Sequence, residues 1–302
     1  MKDAHYPFEV SVIVPTYNRS RLLAHTLDSL ILQDLDKSRF EVVVGDDGSS
    51  DDTRETVRSY ESRLNLRYVF QEDKGYRPAS ARNKAIRMAR GKICLMVDAG
   101  VLLNANCLAE HVRFHAAKGV PAVAIGYVYG FDHDQASEEL LLKLIVPANP
   151  QRSIERLSQY PVFSDVREKH YARYADKIED LPAPWFYFWT CHLSVPAEQL
   201  HRAGLFDEAY DGRWGVEDND LGYRLYRNGV KICLLRTAQS IHYPHGKDKA
   251  SRHQEGLENC RYFHGKFPCL ETRLFLQSYT STELTDINAM CLQMTGQAAM
   301  SE

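Results

Sequence analysis

The stretch "KICLMVDAG", Lys92 to Gly100, decides the fold. Six residues of near-continuous apolar character suit a strand buried on both faces, and the run ends in one carboxylate, Asp98. In open α/β sheets ligands bind beyond the carboxyl ends of the strands, so an acid at that tip faces a site. Upstream, "VSVIVP" (10–15), "FEVVVGDD" (40–47) and "LRYVF" (66–70) are three further strand candidates. Between them, "RLLAHTLDSLILQ" puts Leu23, Leu27, Leu30 and Ile31 on one helical face. "ASARNKAIRMARG" (79–91) predicts a helix with Gly91 as its stop. This alternation predicts a doubly wound α/β sheet whose strand ends bring Tyr17 and Asn18, Asp46 and Asp47, and Asp98 to one crevice.

Composition narrows the function. The chain has 302 residues, 44% hydrophobic and 25% charged, enough for one large domain with a full core. Its formal net charge of -3, with no basic run, argues against nucleic acid as a partner. No apolar stretch is long enough to span a bilayer, and "MKDAHYPFEV" lacks the apolar core of a signal peptide. Seven cysteines form no Cys-x-x-Cys pair and suit reduced thiols, so a cytoplasmic location is expected. The helix candidate in "EELLLKLIVPANP" is expected to pack on the core, with peripheral membrane contact as the alternative; Lys143 is its only cation. His111 and His115, four apart without an HExxH pattern, are expected to be structural.

The second half sharpens from "PWFYFWT" (184–190) onward. "EDNDLGYRLYRNG" predicts a helix from Glu217 to Gly229, followed by a strand "VKICLL" and the segment "RTAQSIHYPHGKDK". Glu217 and Asp218 fall at the helix N-terminus, where the dipole favours the carboxylate form. A carboxylate at an apolar rim suits a general base for a hydroxyl nucleophile.

Taken in order, "VSVIVPTYNRSRLL", "VVVGDDGSSDDT", "ASARNKAIRMARGKICLMVDAG" and "GLFDEAYDGRWGVEDNDLGYRLYRNG" resemble the family 2 inverting glycosyltransferases of GT-A fold. The last block is similar to the W-G-x-E-D segment of galactosyltransferases and bacterial chondroitin-type polymerases. The resemblance covers about residues 9 to 250. It implies a GT-A-type doubly wound mixed sheet flanked by helices: a catalytic domain over 1–250, and a helical or irregular extension over 251–302. Within the domain it implies a nucleotide-binding half (about 1–130), an insertion (131–180) and an acceptor-binding half (181–250).

The same resemblance implies an enzyme that moves a hexose or N-acetylhexosamine from a UDP-sugar to a hydroxyl. The acceptor would be a saccharide or glycan, with a peptide or small molecule as the alternative. Pro15, Tyr17 and Asn18 would line the nucleotide pocket, and Asp47 would accept the uracil N3–H. Arg82 would face the diphosphate, with Arg77 and Lys74 as weaker candidates. Asp218 would be the catalytic base, Glu217 would hold the acceptor hydroxyl and Trp214 would stack on a sugar face, while Trp185 and Trp189 pack. Asp98 would be the first acid of the metal-binding Asp-x-Asp motif and a ribose contact, but the second acid is Gly100. The implied ion is Mn²⁺ or Mg²⁺, held by Asp98 with His242 and His245 completing the donor set. Two other classes compete. A nucleotidyltransferase would carry a basic Gly-rich loop, which "PTYNRS" is not; a non-catalytic sugar-nucleotide binder is favoured by Gly100 and opposed by Glu217 and Asp218.

Overall fold

The computed structural model describes residues 6–131, 135–246, 249–279, 281 and 284–299. Met1–His5 of the leader argument, and parts of the insertion and tail, lie outside the described residues. One eight-stranded sheet forms the centre, in the order β3-β2-β1-β4-β7-β6-β8-β5. Strands β1 (Phe8–Thr16), β2 (Phe40–Asp46), β3 (Leu66–Phe70) and β4 (Gly91–Val97) run parallel, linked by helices α1 (Ser20–Ile31), α2 (Thr53–Tyr60) and α3 (Pro78–Met88). The apolar runs are continuous because both faces are covered. Val12, Val14, Val42, Val44, Leu95 and Val97 pack with Leu23, Leu27 and Leu30 of α1, while Ile13, Val43, Cys94 and Met96 pack with Ala79, Ala85 and Ile86 of α3. That split is the period of two expected of a strand.

The second half makes the sheet mixed. After β5 (Val101–Leu103), α4 (Cys107–Ala117) and β6 (Ala122–Tyr129), the chain leaves the sheet through α5 (Gln135–Leu144), α6 (Pro150–Leu157) and α7 (Glu168–Arg173). It returns as β7 (His192–Pro196), antiparallel to both β4 and β6, then α8 (Ala197–Arg202), α9 (Glu217–Arg227) and β8 (Lys231–His242). In α5, Leu141 is buried while Leu140 and Leu142 are exposed. The insertion is clamped by Asp165 and Arg167, both buried, with Arg167 also donating to the carbonyl of Tyr187 at 3.1 Å. No helix among the described residues is long and apolar enough to cross a membrane.

Two local expectations change. Gly91 does not stop the α3 helix, which ends at Met88; it opens β4, where an added Cβ would stand 2.3 Å from the Ser11 backbone nitrogen. Glycine is there for close strand approach beside the buried Ser11–Glu41 hydrogen bond (2.7 Å). The strand predicted over "VKICLL" continues to His242, because a register shift beside Gly126 lets β8 stay paired with β6.

Beyond residue 246 the chain forms α10 (Lys249–Lys266), α11 (Leu270–Ser278) and α12 (Ile287–Ala299), packed on the second half of the core. Phe263 and Phe275 lie edge-on to Trp185 at 5.3 and 5.4 Å, and Lys266 donates to both Asp207 and Asp220 at 2.7 Å. Asn288 bonds both the N–H and the carbonyl of Ala183.

Candidate active site

A cleft of about 810 Å³ opens at the carboxyl ends of β1 and β4. Pro15, Tyr17, Asp47, Arg82 and Asp98 line it from the first half, and Trp214, Glu217, Asp218, His242 and His245 from the second. Asn18 stands behind that wall: its side-chain oxygen accepts from the N–H groups of Ser50 and Asp51 at 2.7 and 3.2 Å, with its own φ at 48°. Asp46 is a turn former, as an acid after a strand often is, accepting from the N–H groups of Gly48 and Ser49 and from the Tyr68 hydroxyl. Asp47 faces the cleft, accepting from Gln71 Nε2 and from the Arg77 N–H, both at 2.6 Å; burial outweighs these donors and raises its pKa. Lys74 is exposed beside Glu72, and the Arg77 guanidinium lies 3.7 Å from Asp47.

The acidic pair sits on α9, entered through two left-handed residues, Gly215 (φ 89°) and Val216 (φ 75°). A buried β-branched residue at positive φ is strained, and strain of that kind collects at functional sites. The loop before it is strapped to the start of α3: Asp211 accepts from the N–H groups of Ala79 and Ser80 and from the Ser80 hydroxyl, and Gly212 N–H donates to the Tyr76 carbonyl at 2.6 Å. Trp214 N–H donates to Glu255 of α10 at 2.8 Å.

Arg82 joins the two halves. Its Nη1 donates to Glu217 at 2.9 Å and its Nη2 to Asp98 at 3.2 Å, with side-chain exposures of 7% for Arg82 and Glu217 and 36% for Asp98. Burial opposes the Arg82 charge, but Asp98 and Glu217 outweigh it and hold its pKa above the usual value. At Asp218, burial and then the Glu217 charge raise the carboxyl pKa; Arg82 and the backbone N–H groups of Asn219 and Thr190 pull it back only in part. The sequence predicted the opposite balance from the helix dipole; desolvation is the stronger effect here.

The donors for a divalent ion are fewer than two acids. A Cβ on Gly100 (φ 103°) would point at Leu22, 3.5 Å away, so the position faces α1. His245 is engaged through both ring nitrogens, Nε2 with Arg19 at 2.8 Å and Nδ1 with the Tyr243 carbonyl at 3.2 Å. Asp98, which Arg82 holds at 3.2 Å, and His242 line the same cleft; one carboxylate and one imidazole would suit Mn²⁺ if ligand oxygens and water filled the other positions.

Sequence reasoning missed the far wall. Trp189, expected to pack, lines the cleft with its ring over the Arg167 guanidinium (4.9 Å), and His253, Ser278 and Tyr279 come from the C-terminal helices. No periodic signal in the tail pointed to them.

Residues 11–168, just over half of the chain, match the family described as Glycosyl transferase family 2. The chain belongs to that family. Residues 170–246 match the family described as the N-terminal domain of galactosyltransferase. Validoxylamine A glucosyltransferase of Streptomyces hygroscopicus is 39% identical over 272 residues, 90% of this chain. Chondroitin synthase of Escherichia coli is 31% identical over 254 residues, 82% of this chain and 36% of its own. The chain spans 64% of the length of the glucosyltransferase relative. The fold is that of S. aureus TarS, whose complex with UDP-GlcNAc aligns with a TM-score of 0.61 at 21% identity, over 86% of this chain and 66% of that one. In this GT-A family member, then, the cleft occupies the edge at which such sheets bind ligands.

Proposed function

We propose that the chain is an inverting glycosyltransferase that moves a hexose or N-acetylhexosamine from a UDP-sugar to a hydroxyl of a saccharide or glycan acceptor. The observation that carries this reading is the Asp98–Arg82–Glu217 bridge, which joins a nucleotide-side carboxylate to the acidic pair on α9 across one cleft. Asp218 takes the acceptor proton as the oxygen attacks the anomeric carbon. The new C–O bond forms as the bond to the diphosphate breaks on the opposite face, and configuration inverts. Glu217, held by Arg82, orients the acceptor hydroxyl, and the raised Asp218 pKa matches a base working near neutral pH.

Pro15, Tyr17 and Asp47 take the nucleotide, with Asp47 accepting from a base N–H. Asn18 acts indirectly by holding the Ser49–Asp51 turn behind the pocket. Arg82 links the two carboxylates and lines the cleft where a diphosphate contact is expected. Asp98 and His242 would hold a divalent cation, which when bound neutralises charge building on the leaving diphosphate. His245, tied to Arg19, supports His242, whose ring lies 4.9 Å from its own. Trp214 offers an apolar face beside Glu217 for the acceptor ring.

A small-molecule acceptor is the second reading. The 39% identical relative is named for one, and Ser278 and Tyr279 add a wall to the cleft. The test is a panel of UDP- and GDP-sugars with oligosaccharide and cyclitol acceptors, with nucleotide release measured. UDP-sugar turnover supports the proposal; turnover with GDP-sugars alone overturns the donor assignment.

A further inference from the structure

One residue beyond Cys191, which lines the cleft, His192 turns its ring into the core against α4. There it meets Cys107 and His111, which are four apart and share one helix face. All three are fully buried. Cys107 Sγ lies 3.2 Å from His192 Nε2, His111 Nε2 lies 3.1 Å from the same atom, and the three ligand atoms fall within 4.8 Å of one another. The opposite ring nitrogens are held by hydroxyls: His111 Nδ1 by Ser194 and His192 Nδ1 by Ser240, each at 2.8 Å. Gly126 makes room for the ring, since a Cβ there would stand 2.2 Å from it.

Protons alone leave this cluster with a shared hydrogen bond. A neutral imidazole Nε2 carries one proton or one lone pair, and His192 Nε2 faces two partners at hydrogen-bonding distance. Whichever tautomers are chosen, the two contacts compete for one proton or one lone pair on His192 Nε2. A cation that accepts a lone pair from each of the three atoms removes the conflict. We propose that Cys107, His111 and His192 bind a single d¹⁰ transition-metal ion, Zn²⁺ or Cu⁺, at a structural site separate from the catalytic cleft.

The donor chemistry selects the class. One thiolate with two imidazoles is a soft to borderline set without a carboxylate, which suits these ions and not Mg²⁺ or Ca²⁺. The serine hydroxyls fix the imidazoles from behind, as outer partners of metal ligands do. On binding, the Cys107 S–H proton leaves to solvent and a sulfur–metal bond forms, with no change of oxidation state. The ion would pin α4 to β7 one residue from Cys191, whose carbonyl lies 3.4 Å from the Asp98 N–H it accepts.

The test uses the full chain, made in zinc- or copper-supplemented medium and dialysed against EDTA to strip the open cleft. The protein is then unfolded in guanidinium, and zinc and copper are counted by mass spectrometry. The expected result is about one ion per chain, falling below about 0.1 in Cys107→Ser and unchanged in His242→Ala. As a readout independent of any variant, protein produced with Co²⁺ should show a near-ultraviolet thiolate-to-cobalt band. Fewer than about 0.1 ions per chain from both media, absence of that band in the wild-type chain, or an ion count unaffected by Cys107→Ser overturns the proposal.

Discussion

Replacing Arg82 with Met keeps most of the aliphatic stem on Phe206, whose ring centre is 5.5 Å from the guanidinium, and removes the charge between Glu217 and Asp98. Glu217 is left buried without its cation, and breaking a buried pair costs about 3–5 kcal/mol. The more exposed Asp98 partnership adds under about 1 kcal/mol. For a chain of this size each kcal/mol lowers Tm by about 2 °C, so the expected loss is roughly 6–12 °C at pH 8. The loss should depend on pH. Arg82 is one of the groups that lower the Asp218 pKa, so its removal leaves burial and Glu217 to raise it further. The folded variant then binds a proton that the unfolded chain, with Asp pKa near 3.9, releases, and stability relative to wild type falls as pH rises. Scanning fluorimetry from pH 5.5 to 8 should show a deficit that is least at the acid end and widens toward pH 8. A deficit that is flat with pH, or a Tm within about 2 °C of wild type at pH 8, refutes the electrostatic account of this bridge.

Four shorter predictions follow from the same geometry. Asp218→Asn should lower kcat by about 10²–10⁴-fold with little change in donor KM, as seen by nucleotide release. Because burial and the Glu217 charge raise the folded Asp218 pKa, kcat/KM should fall on the acid side at an apparent pKa well above 3.9, and a pH-rate profile reads it. His242→Ala should raise the Mn²⁺ concentration for half-activation at least about tenfold, by metal titration. Lys266→Met should lower Tm by about 2–6 °C, because Asp220 keeps Arg224 while losing its tie to α10.

Much of the first half of the sheet was legible because its signals are local. Runs such as "VSVIVP" and "KICLMVD" cover their own strands, and glycine with acids at their ends marks the loops. The bridge was not legible, since Arg82 and Glu217 are 135 residues apart and nothing in "SARNK" says that its cation turns to α9. The antiparallel return of β7 and the extension of β8 to His242 depend on pairing partners that no window of sequence contains. For Asp218 the helix dipole pointed to the right element and the wrong balance, because burial, which no local window of sequence shows, outweighs the donors that favour the carboxylate. Trp189 was expected to be core and is both core and wall: one face rests on Arg167, itself visible only once the insertion folds.

The most direct test of the central claim is the anomeric configuration of the product. A UDP-α-hexose that supports nucleotide release is incubated with its acceptor, and the anomeric proton of the new glycosidic bond is read by NMR. The β-linked product, formed by the wild-type chain and lost at least about a hundredfold in Asp218→Asn, is the predicted result. An α-linked product, or undiminished transfer by Asp218→Asn, contradicts single displacement with Asp218 as base.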